Sequence, residues 1–310
     1  MSDHAQSHNL AKHLKDTLGR RRFLALAGAG TLSVPILSAC SSALEGTGSS
    51  VSEGASACVL WPEETNGPYP ADGTNNANGS LANVLIASGI VRQDMTTSFA
   101  GLTGTAVGVP LRLRMKLVDS TASCASLAGY VVYAWHCDAA GGYSVYNLPE
   151  QNYLRAVGVA DEDGYVVFDT IYPGCYMGRV PHIHFEAYPS LEATSDFGNR
   201  VLCSQIAFPD AISETIYDTV SDYADSIRPF ENISLETDNV FADNSTAQML
   251  AQTAIMSGDV GADFQADVTV GIDPDAEPVN AMIGGPDGRP NDRRGPPPEG
   301  APFGPPPDRT

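Results

Sequence analysis

An all-β domain, a β-sandwich with few short helices, is the fold class predicted for the middle of the chain. Three observations predict it. The stretch VPLRLRMKLVD alternates Leu111, Leu113, Met115 and Leu117 with Arg112, Arg114 and Lys116, the period of a half-buried strand. GYVVYAWHC and GYVVFDTIY are rich in β-branched and aromatic residues, which suit a pleated surface. Helix signals are confined to SETIYDTVSDYA and STAQMLAQTAIM, so two packed sheets are the most economical architecture.

Taken in order, the chain opens on a processing signal over residues 1–39. Arg20, Arg21 and Arg22 followed by Phe23 and Leu24 resemble the twin-arginine export motif, and a short apolar run follows to Ala39. The run ends in Leu37-Ser38-Ala39-Cys40, which resembles a lipoprotein cleavage box. That pattern implies an exported chain, lipid-anchored at Cys40 in the cell envelope. An uncleaved signal anchor is the other reading of the same span. Residues 40–57 are a Gly/Ser-rich tether. One sandwich domain is expected over residues 58–272. Residues 273–310, with 11 of the 22 prolines and the ending GRPNDRRGPPPEGAPFGPPPDRT, read as a disordered Pro-rich tail.

Within the domain, ADEDGY places Asp163-Gly164 between two strand-like runs, a hairpin signal. PHIHFEAY is a further strand. Cys58, Cys124, Cys137, Cys175 and Cys203 are expected to form disulfides outside the cytoplasm, and their odd number leaves one thiol over. The pairing does not follow from the sequence.

The formal charge of −20, from 37 acidic and 17 basic residues, excludes a nucleic-acid surface, which needs the opposite sign. The chain has six histidines, and two of them, His182 and His184, stand one residue apart in RVPHIHF. On a strand, residues i and i+2 share a face, so both imidazoles can reach one metal while Ile183 points into packing. On its own the pair reads equally well as two hydrogen-bonded histidines on a half-exposed strand. A cupin-like site needs a later histidine, and none follows His184. A zinc site through His136 and Cys137 lacks the usual spacing. Oxygen ligation by tyrosine remains.

Four blocks occur in a fixed order: Trp135-x-x-Asp138-x-x-Gly141-x-Tyr143, Thr170-Ile171-x-Pro173-Gly174-x-Tyr176, Arg179-x-Pro181-His182-Ile183-His184-Phe185, and SQIAFPD. Together with CVLWPEETNGPYP, NYLRAVGVADEDG and SLETDNVF they resemble the intradiol ring-cleavage dioxygenases of catechols, in particular their exported members. The likeness spans residues 58–272. It implies a non-haem Fe(III) held by Tyr143, Tyr176, His182 and His184. Phenolate is a hard anionic donor suited to a hard, highly charged ion. The resemblance also implies that Arg179 stabilises negative charge on the substrate, that Gln205 positions substrate or dioxygen, and that Tyr176 leaves the metal and takes a proton. The substrate would be a catechol-type ring, opened by dioxygen to a cis,cis-muconate-type diacid in aromatic compound catabolism. Individually the residues have plainer readings: Tyr143 as a surface tyrosine, Tyr176 as a sandwich tyrosine corner, Arg179 as one half of a surface ion pair, Trp135 and Phe185 as core, Tyr69 as packing. The alternative for the whole chain is a non-catalytic, transthyretin-like binding module on an exported lipoprotein.

Overall fold

The computed structural model describes residues 58–276. The signal, tether and tail readings, apart from residues 273–276, lie outside the described residues.

The strands run in the order β1 (Asp72–Ala77), β2 (Ser80–Asn83), β3 (Pro110–Asp119), β4 (Ala125–Ser126), β5 (Val131–Trp135), β6 (Arg155–Val159), β7 (Tyr165–Ile171), β8 (His182–Tyr188) and β9 (Leu202–Ala207). Helices α1 (Asp210–Thr219), α2 (Ala224–Phe230) and α3 (Thr246–Gln252) follow, then β10 (Ile255–Asp259) and β11 (Ala262–Ile272). One sheet orders its strands β10-β11-β3-β4 with β7 also paired to β3, the other β6-β5-β8-β9, and β1-β2 form a separate ribbon. Strand β11 lies parallel to β3, with Phe264 opposite Leu111 and Ile272 opposite Asp119.

The expected alternation in β3 is realised. Leu111, Leu113, Met115 and Leu117 are buried in one core cluster with Phe168 of the adjacent β7 and with Ile183, Phe185 and Ile206 of the second sheet. On the other face Arg112 pairs with Asp169 and Arg114 with Asp267. Truncating Leu113, which has no exposed surface, to alanine removes about 2–5 kcal/mol of stability.

The second sheet is buried on both faces. Every residue of β5, β8 and β9 is buried; β5 accordingly reads as a continuous apolar run, whereas β8 alternates His182, His184 and Glu186 with Ile183, Phe185 and Ala187. Val132, Ala134, Ile183 and Phe185 face the first sheet. Val131, Tyr133, Trp135 and Tyr188 face outward, where Ala71, Val84, Ile90, Phe99 and Tyr143 from the surrounding segments cover them. The candidate site residues His182 and His184 sit on this covered outer face.

Four details differ from expectation. Asp161 to Gly164 do form a turn, with Gly164 at φ +82°, but it closes no hairpin: β6 pairs β5 in one sheet and β7 pairs β3 in the other. The turn hands the chain across the sandwich. STAQMLAQTAIM is helical only over Thr246–Gln252, capped by Ser245, before the chain enters β10. α2, with Pro229 inside it, carried no helix signal. Of the five cysteines only Cys58 and Cys124 pair, leaving three buried thiols, Cys137, Cys175 and Cys203, instead of one. Counting thiols assumed that each finds a partner. Here Cys137 and Cys175 point at backbone carbonyls of Gly174 and Arg179, and Cys203 stands across from Glu186 in the β8–β9 pair.

Candidate metal centre

Alternation along β8 puts His182, His184, Glu186 and Tyr188 on the outer face and Ile183 in the core, as the strand period requires. The two imidazoles meet edge to face, with Nε2 atoms 3.0 Å apart. Tyr176, from the segment joining β7 to β8, brings its Oη within 3.0 Å of His182 Nε2. Tyr143, from the segment after β5, brings its Oη within 3.4 Å of that of Tyr176. The sequence-predicted quartet is therefore assembled from three stretches of chain.

Each member is anchored differently. His182 Nδ1 is 2.6 Å from the Val180 carbonyl, so that nitrogen carries the proton and Nε2 offers a lone pair. His184 has no such partner at Nδ1. Its ring is held by packing instead: Trp135, its cross-strand neighbour, stacks on it at 5.0 Å and 5°. Gly67, at φ +70°, also approaches the ring, where a Cβ would stand 3.1 Å from His184 Cε1. Tyr143 is no surface residue. It is 1% exposed, its N–H donates to Asn147 Oδ1, and Tyr69 lies against its ring at 4.7 Å. Tyr176 is no tyrosine corner, because its hydroxyl turns to Tyr143 and His182 instead of to the backbone.

Electrostatics match this arrangement. Burial, and then the nearby Arg179 guanidinium, push both histidines well below their ordinary range, so they are neutral donors. Burial raises the Tyr143 phenol strongly and that of Tyr176 to about 12, the latter opposed by Arg179. Both phenols are protonated unless a cation draws their protons off.

The donor set fits a metal ion. Neighbouring donors 3.0–3.4 Å apart span the edges of a coordination shell whose bonds are about 2.1 Å long and about 90–110° apart. Two phenols and two neutral imidazoles suit a hard trivalent ion once the phenols ionise. Among the described residues no trio of His, Cys, Asp or Glu converges in this way. His136 and Cys137 are otherwise engaged, the imidazole bonding the Cys137 carbonyl at 2.8 Å and Thr170 Oγ1 at 2.7 Å.

Arg179 borders the quartet. Its Nη1 lies 3.4 Å from His182 Nε2 and its Nη2 donates to Gln205 Oε1 at 2.5 Å. Gln205, opposite His184 in the strand pair, donates in turn to the Thr65 carbonyl at 2.8 Å. The ion-pair reading of Arg179 is also realised, but with a fully buried acid, Asp238. Sequence reasoning assigned no role to Asp238, to Gly67 or to the stacking role of Trp135. Asp238 lies in SLETDNVF, and in a chain with 37 acids nothing local marks it as the buried one. Glu186, next along the face, is held protonated by burial and by Asp72, and accepts from the Tyr188 hydroxyl.

Comparison with known proteins agrees with the ordered motifs. Residues 84–208 match the family model described as Dioxygenase. The intradiol ring-cleavage dioxygenase of Tetranychus urticae is 23% identical, with a TM-score of 0.52 over 70% of this chain and 96% of that one. A second dioxygenase structure, Tetur07g02040, is likewise 23% identical, with a TM-score of 0.53 over 70% and 95%. Catechol 1,2-dioxygenase of Pseudomonas arvilla C-1 superposes less closely, at 18% identity and a TM-score of 0.41 over 70% and 64%. No curated protein matches the chain in sequence. The family model thus matches residues 84–208, and the fold of the chain is the one seen in the intradiol ring-cleavage dioxygenase structure of Tetranychus urticae.

Proposed function

We propose that the chain opens a catechol-type ring between its two hydroxyl-bearing carbons, using dioxygen, to give a cis,cis-muconate-type diacid. The reaction would run at a non-haem Fe(III) held by Tyr143, Tyr176, His182 and His184. The observation that carries this reading is the convergence of those four donors at 3.0–3.4 Å spacing. Bound there, Fe(III) would supply Lewis acidity and a template for catecholate and dioxygen.

The chain's own residues divide the remaining work. His182 and His184, neutral through burial, present lone pairs without charge. Tyr143, fully buried and packed under Tyr69, is the fixed phenol. Tyr176 is only half-buried and precedes the exposed Met177, so it is the phenol with room to move. Its oxygen, basic enough to hold a proton up to about pH 12 in the absence of a cation, can take one from a substrate hydroxyl. Nη1 of Arg179 is a cationic donor where negative charge develops on the substrate. Gln205 fixes the second edge of that guanidinium. Gly67 lies against His184 and Tyr69 against Tyr143, which helps to keep water from them.

Iron-reconstituted protein should be burgundy from tyrosinate-to-iron charge transfer. It should consume dioxygen with one or more of catechol, hydroxyquinol and protocatechuate, releasing a diacid identifiable by mass. His182→Ala and Tyr143→Phe should lose iron or colour with the β-sheet signal intact, and Arg179→Ala should keep the colour but lose most turnover. Colourless protein after reconstitution refutes the reading. Export with lipid attachment at Cys40 is part of the same proposal. The Cys58–Cys124 disulfide supports it, since such bonds persist in oxidising compartments. A mature chain starting elsewhere by mass spectrometry would refute the anchor.

A further inference from the structure

The guanidinium of Arg179 is held on three sides. Its Nε donates to both carboxylate oxygens of Asp238, at 3.1 and 3.0 Å. Its Nη2 donates to Gln205 Oε1, and the Phe241 ring lies 5.9 Å from Cζ. Only the Nη1 edge turns toward the donor quartet. A guanidinium is planar, so fixing Nε and Nη2 fixes where Nη1 points.

Asp238 is equally constrained. It has no exposed surface, and its two oxygens also accept the backbone N–H groups of Val180 and Val240, each at 2.8 Å. Breaking one partner out of such a buried pair strands a charge away from water. Asp238 reaches the site from 59 residues further along the chain, outside the segment matched by the family model.

We propose that Asp238 is a positioning residue for ring cleavage. By holding Nε it sets the guanidinium plane, so that Nη1 is the donor presented to the substrate oxygens. The inference rests on the reading of Arg179 as the substrate-facing cation. The competing role is a loop staple, in which Asp238 binds the Val180 and Val240 amides and Arg179 is merely its counter-ion.

Two measurements separate these roles. In metal-free protein labelled with 15N-arginine, the Arg179 Nε–H signal, identified by its loss in Arg179→Lys, should exchange with solvent roughly a hundredfold more slowly than in free arginine. Asp238→Asn should abolish most of that protection. In the iron-loaded enzyme, Asp238→Asn should lower kcat about tenfold to a hundredfold, with KM changed much less and the visible band retained. In an Arg179→Met background the same substitution should cost nothing further. An unprotected Nε–H in the wild type, or an equal loss in both backgrounds, overturns the proposal. If Asp238→Asn does not fold, wild-type exchange decides the matter together with Asp238→Glu, which keeps the charge and should keep most of the protection. A protein that shows Nε–H protection but no ring cleavage would defeat the functional reading and leave the positioning geometry standing.

Discussion

Gly67→Ala tests how His184 is oriented. Metal-bound histidines usually donate their second ring nitrogen to a carboxylate or carbonyl, which fixes the ring. His184 lacks that bond and depends on the Trp135 face and on the gap left by Gly67. Alanine at position 67 has two costs. Holding a Cβ residue at φ +70° costs roughly 1–2 kcal/mol. In addition, the methyl would stand 3.1 Å from His184 Cε1, close enough to force a shift of a few tenths of an ångström. Trp135 blocks movement along the ring normal, so the imidazole must slide or tilt, taking Nε2 out of register with His182. A displaced orienting contact costs about tenfold to a hundredfold in metal affinity. The control is Gly79→Ala: φ is +83°, and nothing lies within 4 Å of the added Cβ. Both variants should lose similar thermal stability in the metal-free protein, read by calorimetry. Only Gly67→Ala should lose Fe(III) or Ga(III) affinity, read by competition with a chelator. Equal metal affinity in the two variants would show that the Gly67 contact does not govern the ring.

Glu64 gives a pH-dependent test. Burial raises its carboxyl from 4.5 to about 7, against the Asn244 amide that bonds it at 2.8 Å. The folded state thus holds the proton more tightly than the unfolded chain. The associated stability is complete below about pH 4.5 and is lost as pH rises toward 7. With partial solvent screening this amounts to about 1–3 kcal/mol. Glu64→Gln should therefore gain relative stability between pH 5 and about 7.5 in urea melts; a constant difference across that range refutes the buried-acid account. The Cys58–Cys124 bond closes a 66-residue separation, so Cys58→Ser with Cys124→Ser should lower stability by up to about 4 kcal/mol. An unchanged melting temperature on reduction would show that the bond is not formed in solution.

The two-sheet core was legible because β3 announces itself: a strand with one wet face must alternate. In the second sheet β5 was legible for the opposite reason, as it has no wet face and reads as an apolar run. The four donors were visible only as an ordered set, since each has an ordinary packing role when taken alone. What escaped was decided at long range. A turn at Asp163-Gly164 has the same local chemistry whether the strands beside it pair with each other or with others, and only the partners β3 and β5 decide. Asp238 and Gly67 touch the site from opposite ends of the domain, and neither carries a local signal for the residue it meets. The parity of the cysteines gave no guide to pairing, because a buried thiol packs as readily as a small apolar group.

The parallel pairing of β11 with β3 has a consequence for biogenesis. Leu111 waits for Phe264, 153 positions later, and until then one long flank of β3 offers unsatisfied amides and carbonyls. Translation must deliver nearly the whole domain before the first sheet can close, and contacts so distant in sequence make for slow folding. A chain stopped short of residue 262 would keep that flank bare, an open template for sticking to its neighbours. The last strand therefore acts as a checkpoint: only a polypeptide synthesised to its far end can seal the sandwich on which the donor quartet is built.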